Sequence, residues 1–329
     1  MRAVVYTGAG GNEVVALAER EDPVAVGEEV LVAVRYAGIN PADLQQRDGH
    51  YPPPPGAPVD IPGLEVAGEV LAVGERVLDL RPGDRVMGII AGGGLADRVV
   101  VHGRCVVKIP EGLDEVQAAA IPEGFITAHD AIRAQAGLSA GEVLLVNGAT
   151  GGVGTAAVQI AVATGATVLG VTRTEQGCDL LKALGAVAVY TDDVVEAVAE
   201  ASGGRGADVV LELVGAINLT RNLEVLASKG RIVIVGVGGG AMTEINLRSL
   251  MSRRARLFGT VLRARPLEEK AMAVRAFERE VLPHLVAGSI APVVDRAFPA
   301  EAVHEAFDHM EHSAKRGKVL LDFGPVARP

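Results

Sequence analysis

The eight residues Asn147-Gly148-Ala149-Thr150-Gly151-Gly152-Val153-Gly154 have the types and spacing to hold a pyrophosphate. They follow the apolar run Val143–Val146 and lead straight into a helical pattern, Thr155–Thr164. Gly151 and Gly152 let the backbone approach phosphate oxygens, and Gly154 lets the helix pack on the strand. The helix start supplies free N–H groups at the positive end of its dipole. A glycine pattern alone would equally describe a tight packing turn. The strand before it, the helix after it and further strand-helix units favour a dinucleotide site, with contacts from Ala149, Thr150, Gly151, Gly152, Val153 and Gly154.

The next apolar run ends Val171-Thr172-Arg173-Thr174, where the adenosine ribose of such a cofactor is expected. NAD enzymes place a carboxylate there for the ribose 2′-hydroxyl. A guanidinium with two hydroxyls suits a 2′-phosphate instead, because Arg grips phosphate oxygens in a fork. Thr172, Arg173 and Thr174 therefore point to NADPH, against the plainer reading of Arg173 as a solvated surface residue; Glu175 and Asp179 are the nearby opposing charges.

Asn40-Pro41-Ala42-Asp43-Leu44 reads as a helix start, with Asn40 as N-cap and Pro41 at the first helical position. An Asn so placed can also contact a nicotinamide. Tyr51 heads the extended loop Tyr51-Pro52-Pro53-Pro54-Pro55-Gly56 and is the nearby group able to donate a proton, the alternative being a ring packed on the prolines. Asn40 and Tyr51 are the candidate catalytic residues, and Asp43 braces the loop. His304, His309 and His312 share a helical stretch, but their spacing does not align all three on one face, so no metal site is expected.

Two kinds of scaffold must position these groups. Residues 1–120 hold short apolar runs separated by Gly, Pro and Asp: Ala3–Tyr6, Val30–Arg35, Val66–Val73, Arg85–Ile89 and Arg98–Val107. They predict a β-rich domain. From residue 121 the runs Val143–Val146, Thr167–Val171, Val187–Tyr190, Asp208–Leu213, Arg231–Val235 and Arg256–Gly259 alternate with helix-length segments. That rhythm predicts an α/β domain with a doubly wound parallel sheet over 121–287, including a long helix Leu267–Ala287. Residues 288–329, with strand patterns Val293–Phe298 and Lys318–Phe323, are expected to complete the first domain.

Composition narrows the function. Hydrophobic residues are 49% of the 329 and aromatics 3%, so the cores must be built from Val, Ala, Leu and Ile. A net charge of −10 argues against a nucleic-acid partner. Two cysteines, Cys105 and Cys178, form neither a disulfide framework nor a four-cysteine zinc lobe. With no signal-peptide pattern at Met1–Gly11, a cytoplasmic location is expected. The uncharged stretch between Glu142 and Arg173 is long enough to span a bilayer, but its glycines divide it into strand, turn, helix and strand, so no membrane segment is expected.

Several segments together resemble the medium-chain dehydrogenases/reductases: residues 40–56, Gly63-Leu64-Glu65-Val66-Ala67-Gly68, Ala119-Ala120-Ile121-Pro122-Glu123 and the Gly-Gly-Val-Gly turn. Within that family they resemble zinc-independent quinone oxidoreductases of the tumour-suppressor-induced type, as do Gly92-Gly93-Gly94 and Leu262-Arg263-Ala264-Arg265. The resemblance runs from Met1 to Phe323. It implies a GroES-like catalytic domain beside a Rossmann domain, a nicotinamide in the cleft between them, NADPH as cofactor and a homodimer through the last Rossmann strand. It also implies cofactor contacts from Asn40, Thr127, Tyr190, Gly236, Thr260, Val261, Leu262 and Lys318. Where zinc-dependent relatives carry Cys and His ligands this chain has Asn40 and Leu64, and Glu65 alone cannot hold zinc. Many relatives carry a Lys for the 2′-phosphate where Gly177 stands here.

With neither zinc ligands nor a Ser-His-Asp arrangement, the resemblance implies hydride transfer from NADPH to a quinone, protonated from solvent or by Tyr51. Two alternatives share the scaffold. One is an enoyl or activated-alkene reductase that depends on Tyr51, and the other is a non-catalytic NADPH-binding redox sensor.

Overall fold

Val30, Val32 and Val34 alternate along the strand Glu29–Ile39 and are all buried, so the strand is fixed by a two-residue apolar period facing a core. In the computed structural model, which describes residues 1–311 and 315–325, the chain divides into Met1–Glu123 with Leu262–Pro329 as one unit and Gly124–Val261 as the other. In the first unit Glu29–Ile39 pairs antiparallel with Glu65–Val73, Arg98–His102 and Lys318–Asp322. Among the described residues the sheet has seven strands. It runs Val294–Pro299, Lys318–Asp322, Glu29–Ile39, Glu65–Val73, Arg85–Ile89, Val106–Lys108, with Arg98–His102 joined to Glu29–Ile39. A Cβ on Gly68 would lie 1.9 Å from the Ala33 carbonyl oxygen, so only Gly fits that crossing of strands.

The C-terminal tail packs into the core of this unit. Val319, Leu321 and Phe298 share a core with Val30, Val66, Val86 and Val101. Phe307 on the helix Val303–Glu311 meets Tyr6 edge-on at 6.2 Å. His309 contacts Asp295 through Nε2 at 2.5 Å, and His312 lies outside the described residues.

The second unit is a six-stranded sheet, every pair parallel, in the order Val187–Tyr190, Thr167–Thr172, Val143–Asn147, Ala207–Glu212, Leu226–Ile234, Arg256–Gly259. All five residues of Val143–Asn147 are buried because helices cover both faces of such a sheet. The order in which strands are added reverses between this strand and Ala207–Glu212, although both run parallel, which makes the carboxyl ends of the two the natural ligand crevice. The uncharged stretch is the buried heart of this unit, and among the described residues no helix is long and apolar enough to cross a membrane.

Three local readings change. The expected strand Arg98–Val107 is two strands, because a tight turn at Gly103–Cys105 interrupts it and the His102 ring accepts from Arg104 N at 3.2 Å. The expected helix Leu267–Ala287 breaks into Leu267–Glu280 and Leu282–Val286, since Pro283 has no N–H to continue the ladder. Residues 262–287, expected in the second domain, group with the first unit. Arg104 holds Glu268 there through paired bonds of 2.6 and 2.7 Å, and Arg275 donates to the Val106 carbonyl at 3.0 Å.

Candidate functional site

In the second unit, the helix after the glycine turn starts at Gly152, three residues earlier than its apolar pattern suggests. Gly151 occupies the N-cap with no side chain to cap the first turn, so the early N–H groups stay available to an anion. A Cβ on Gly154 would stand 2.3 Å from Gly148 O and 2.7 Å from Ala149 Cα, so the turn requires Gly there. Ala149 is buried beneath the turn, while Thr150, Gly151, Gly152 and Val153 are partly exposed.

Apart from Thr127, which lies in the helical segment Thr127–His129 ahead of the sheet, the other cofactor candidates in this unit lie at or after carboxyl ends of neighbouring strands. Thr172 is buried, its Oγ1 accepting from Thr174 N at 3.4 Å; Thr174 caps the helix Glu175–Ala183 by accepting from Gly177 N at 3.1 Å. Both hydroxyls thus serve the loop. Arg173 between them is exposed, and among the described residues its guanidinium has no hydrogen-bond or ion-pair partner. A Cβ on Gly177 would lie 2.0 Å from Thr172 Oγ1, a physical reason why this loop carries no Lys there. Tyr190 ends its strand half-exposed, and Gly236 packs against the Leu213 carbonyl. Thr260 N donates to Ile234 O at 2.9 Å, and Val261 beside it is exposed. Thr127 Oγ1 is buried and has no hydrogen-bond partner among the described residues. An orphaned buried hydroxyl, uncapped helix N–H groups and an unpaired cation fit a phosphate-rich cofactor.

Sequence reasoning missed the carboxylate beneath the turn. Buried Glu212 ends the strand beside Asn147. Its Oε2 accepts from Asn147 Nδ2 at 2.9 Å and Asn222 Nδ2 at 2.7 Å, and its Oε1 accepts from Val214 N at 2.7 Å and Gly215 N at 2.8 Å. Arg221 closes the network through Asn147 Oδ1 at 3.1 Å and Asn218 Oδ1 at 2.8 Å. The signal was present: Glu212 is a lone charge in the run Val209–Val214. A charge in a strand covered on both faces must be satisfied there.

The first unit holds Asn40, Tyr51, Leu262 and Lys318. Asn40 occupies the N-cap position of Pro41–Arg47, yet its amide is turned elsewhere. Nδ2 donates to Glu65 Oε1 and Gly38 O, both at 3.2 Å, and Oδ1 accepts from Lys318 Nζ at 2.5 Å. Asp43 does the bracing instead, accepting from Asn40 N at 2.8 Å and from Gly63 N at 2.9 Å. Glu65 is wholly buried; the Lys318 ammonium contacts its Oε1, and Glu123 N donates to its Oε2 at 2.8 Å. Leu262 is buried in the same unit.

Burial pushes the Asp43 carboxyl up to about 6. Burial, reinforced by the Glu65 charge, pushes Glu123 up to about 7. Tyr51 is half-buried, and its phenol has no hydrogen-bond partner among the described residues. Its ring faces the Arg263 guanidinium, Cζ lying 5.0 Å from the ring centroid, so the cation is a neighbour that the proline-packing reading did not foresee. Burial raises its pKa.

Comparison with known proteins adds to this geometry. The alcohol dehydrogenase GroES-like domain family matches residues 27–111, and the zinc-binding dehydrogenase family matches residues 152–279. A quinone oxidoreductase of Lama guanicoe is 36% identical over 327 residues, covering 98% of this chain and 97% of its own. The Escherichia coli quinone oxidoreductase, solved in complex with NADPH, superposes with a TM-score of 0.88 at 27% identity over 98% of this chain and 100% of its own. An NAD-dependent alcohol dehydrogenase superposes with a TM-score of 0.87 at 29% identity, over 98% of this chain and 100% of its own.

The donor set does not fit the zinc of the second family's name. Leu64 offers no donor, and the Asn40 amide and both Glu65 oxygens are already engaged by protein groups. Among the described residues no cluster of three His, Cys, Asp or Glu is arranged to hold a metal.

Proposed function

The chain belongs to the medium-chain dehydrogenase/reductase family, among its quinone oxidoreductase-like members, and from that premise we propose that it is a zinc-independent reductase passing hydride from NADPH to a quinone. The observation that carries the cofactor half is Arg173, partnerless among the described residues, at the strand tip in the same unit as an uncapped, glycine-lined helix start. The relative solved with NADPH supports the same choice.

Bound NADPH supplies the hydride. The turn Ala149–Gly154 would receive the pyrophosphate, and Arg173 would take the 2′-phosphate on the loop that the hydroxyls of Thr172 and Thr174 hold in shape. Thr127, Tyr190, Gly236, Thr260, Val261 and Leu262 contribute the remaining cofactor contacts. Lys318 has one N–H left after Asn40 and Glu65 and offers it to the cofactor. Asn40 holds that ammonium in place and so orients the nicotinamide. A homodimer through Arg256–Gly259 is supported by that strand's place at the end of the sheet, and the helix just before it in the chain exposes Leu247 and Met251. The two buried free cysteines accord with a reducing, cytoplasmic setting, and the net charge of −10 with the absence of a nucleic-acid partner.

The unpartnered phenol of Tyr51 favours a second reading, reduction of an activated alkene, whose carbanion-like product must be protonated. A reduced quinone can take its proton from water. Tyr51→Phe separates the two: near-normal quinone turnover supports quinone reduction, whereas loss of most turnover on enones and quinones alike favours the alkene reading. Tight NADPH binding with no oxidation by either acceptor class would make the chain a binding protein.

A further inference from the structure

Arg263 is only 6% exposed, and among the described residues of its unit no carboxylate lies within ion-pair distance. Its N–H groups go to neutral acceptors: Nε to Ala91 O at 2.8 Å, Nη1 to Tyr51 O at 3.3 Å, and Nη2 to Gln46 Oε1. Lys270 Nζ donates to the Arg263 carbonyl at 3.0 Å, fixing the backbone from which the side chain reaches out. Neutral acceptors do not require a full positive charge, and burying one costs desolvation free energy. The neighbour that responds to the charge is the Tyr51 ring, whose centroid lies 5.0 Å from the guanidinium carbon.

We propose that Arg263 is the positioning residue of Tyr51: it ties down the head of the proline loop through the Tyr51 carbonyl and presents a cation to the ring, so that the phenol delivers its proton to the reduced acceptor. The inference rests on reading Tyr51 as a proton donor and adds the group that it works with. In the step concerned the phenol O–H bond breaks. Its proton joins the acceptor atom made electron-rich by the hydride from NADPH, and the tyrosinate left behind recovers a proton from water. Arg263 itself stays charged throughout, stabilising the phenolate.

The charges around the pair are accounted for. Burial raises the Tyr51 pKa, Arg263 opposes that rise, and Glu123, from the segment after the helix Glu115–Ala119, adds to it. Asp43 from Pro41–Arg47, Lys270 from Leu267–Glu280 and Tyr6 from Arg2–Tyr6 lie within electrostatic reach of Arg263.

The chain has four tyrosines and no tryptophan, so the difference in tyrosinate absorbance between the parent and its Tyr51→Phe variant isolates this phenol without any turnover. Arg263→Gln should raise the Tyr51 titration midpoint by about one pH unit, a tenfold loss of phenolate at a given pH. Arg263→Lys, which keeps the charge but loses the fork, should raise it by less, and it carries the test if the Gln variant fails to fold. Arg263→Lys should also lower enone turnover about tenfold in the parent and cost nothing further in the Tyr51→Phe background. An unmoved midpoint, or an equal loss of turnover with and without the phenol, overturns the proposal. Full enone turnover by Tyr51→Phe would sink the proton-donor reading by itself, and the absorbance titration would still decide whether Arg263 acts on the phenol.

Discussion

Asn147 Nδ2 donates to Glu212 Oε2 at 2.9 Å across the point where the strand order of the parallel sheet reverses, so a buried carboxylate on one strand holds the residue that opens the glycine turn on the other. The turn is thus anchored from below by a charge and shaped from within by Gly154.

Glu212→Gln places an amide N–H₂ where backbone N–H groups and asparagine amides all need an acceptor. It should cost about 3 kcal/mol of stability, the cost of leaving buried donors unpaired. The same loosening should weaken NADPH binding about tenfold, or 1.4 kcal/mol. Urea unfolding and NADPH titration check this. An unfolding midpoint equal to the parent's would show that the network is not needed.

Arg173→Ala should weaken NADPH binding by roughly tenfold to a hundredfold, the range of a charge-assisted phosphate contact, and leave NADH binding nearly unchanged. Fluorescence titration with both cofactors reads the difference. Equal losses for both would mean that Arg173 does not recognise the 2′-phosphate.

Glu123 links stability to pH. Its carboxyl is raised from 4.5 to about 7, so between those values the folded chain binds a proton that the unfolded chain has released. Stability from this group is therefore full below pH 4.5 and is lost as pH rises through about 7, by up to about 3 kcal/mol; Asp43, raised to about 6, acts in the same direction. Glu123→Gln should flatten that decline and make the chain more stable than the parent in mild alkali. Denaturation series at mildly acid and mildly alkaline pH test it, and a decline as steep as the parent's would contradict the assignment.

What could be read in advance was what is local in the chain. The cofactor turn is spelled out over eight consecutive residues, and the strands Arg85–Ile89, Val187–Tyr190 and Arg256–Gly259 have the bounds that their apolar runs suggest. The groups around it are joined by tertiary structure. Lys318 reaches Asn40 across 278 residues, and Arg263 reaches Gln46 across 217. No periodicity brings such residues together, so Asn40 reads locally as a helix cap, although its amide is held by Glu65 and Lys318. The break before Pro283 was visible as a residue type; the grouping of 262–287 with the first unit depended on partners such as Arg104 and Val106, far away in sequence.

The most direct test of the account is cofactor oxidation, followed by loss of the reduced nicotinamide's near-ultraviolet absorbance, with NADPH or NADH and a panel of quinones in the presence of a chelator. Quinone turnover that prefers NADPH and is indifferent to the chelator is the predicted result. Turnover abolished by the chelator, or no oxidation of NADPH by any quinone, would contradict it.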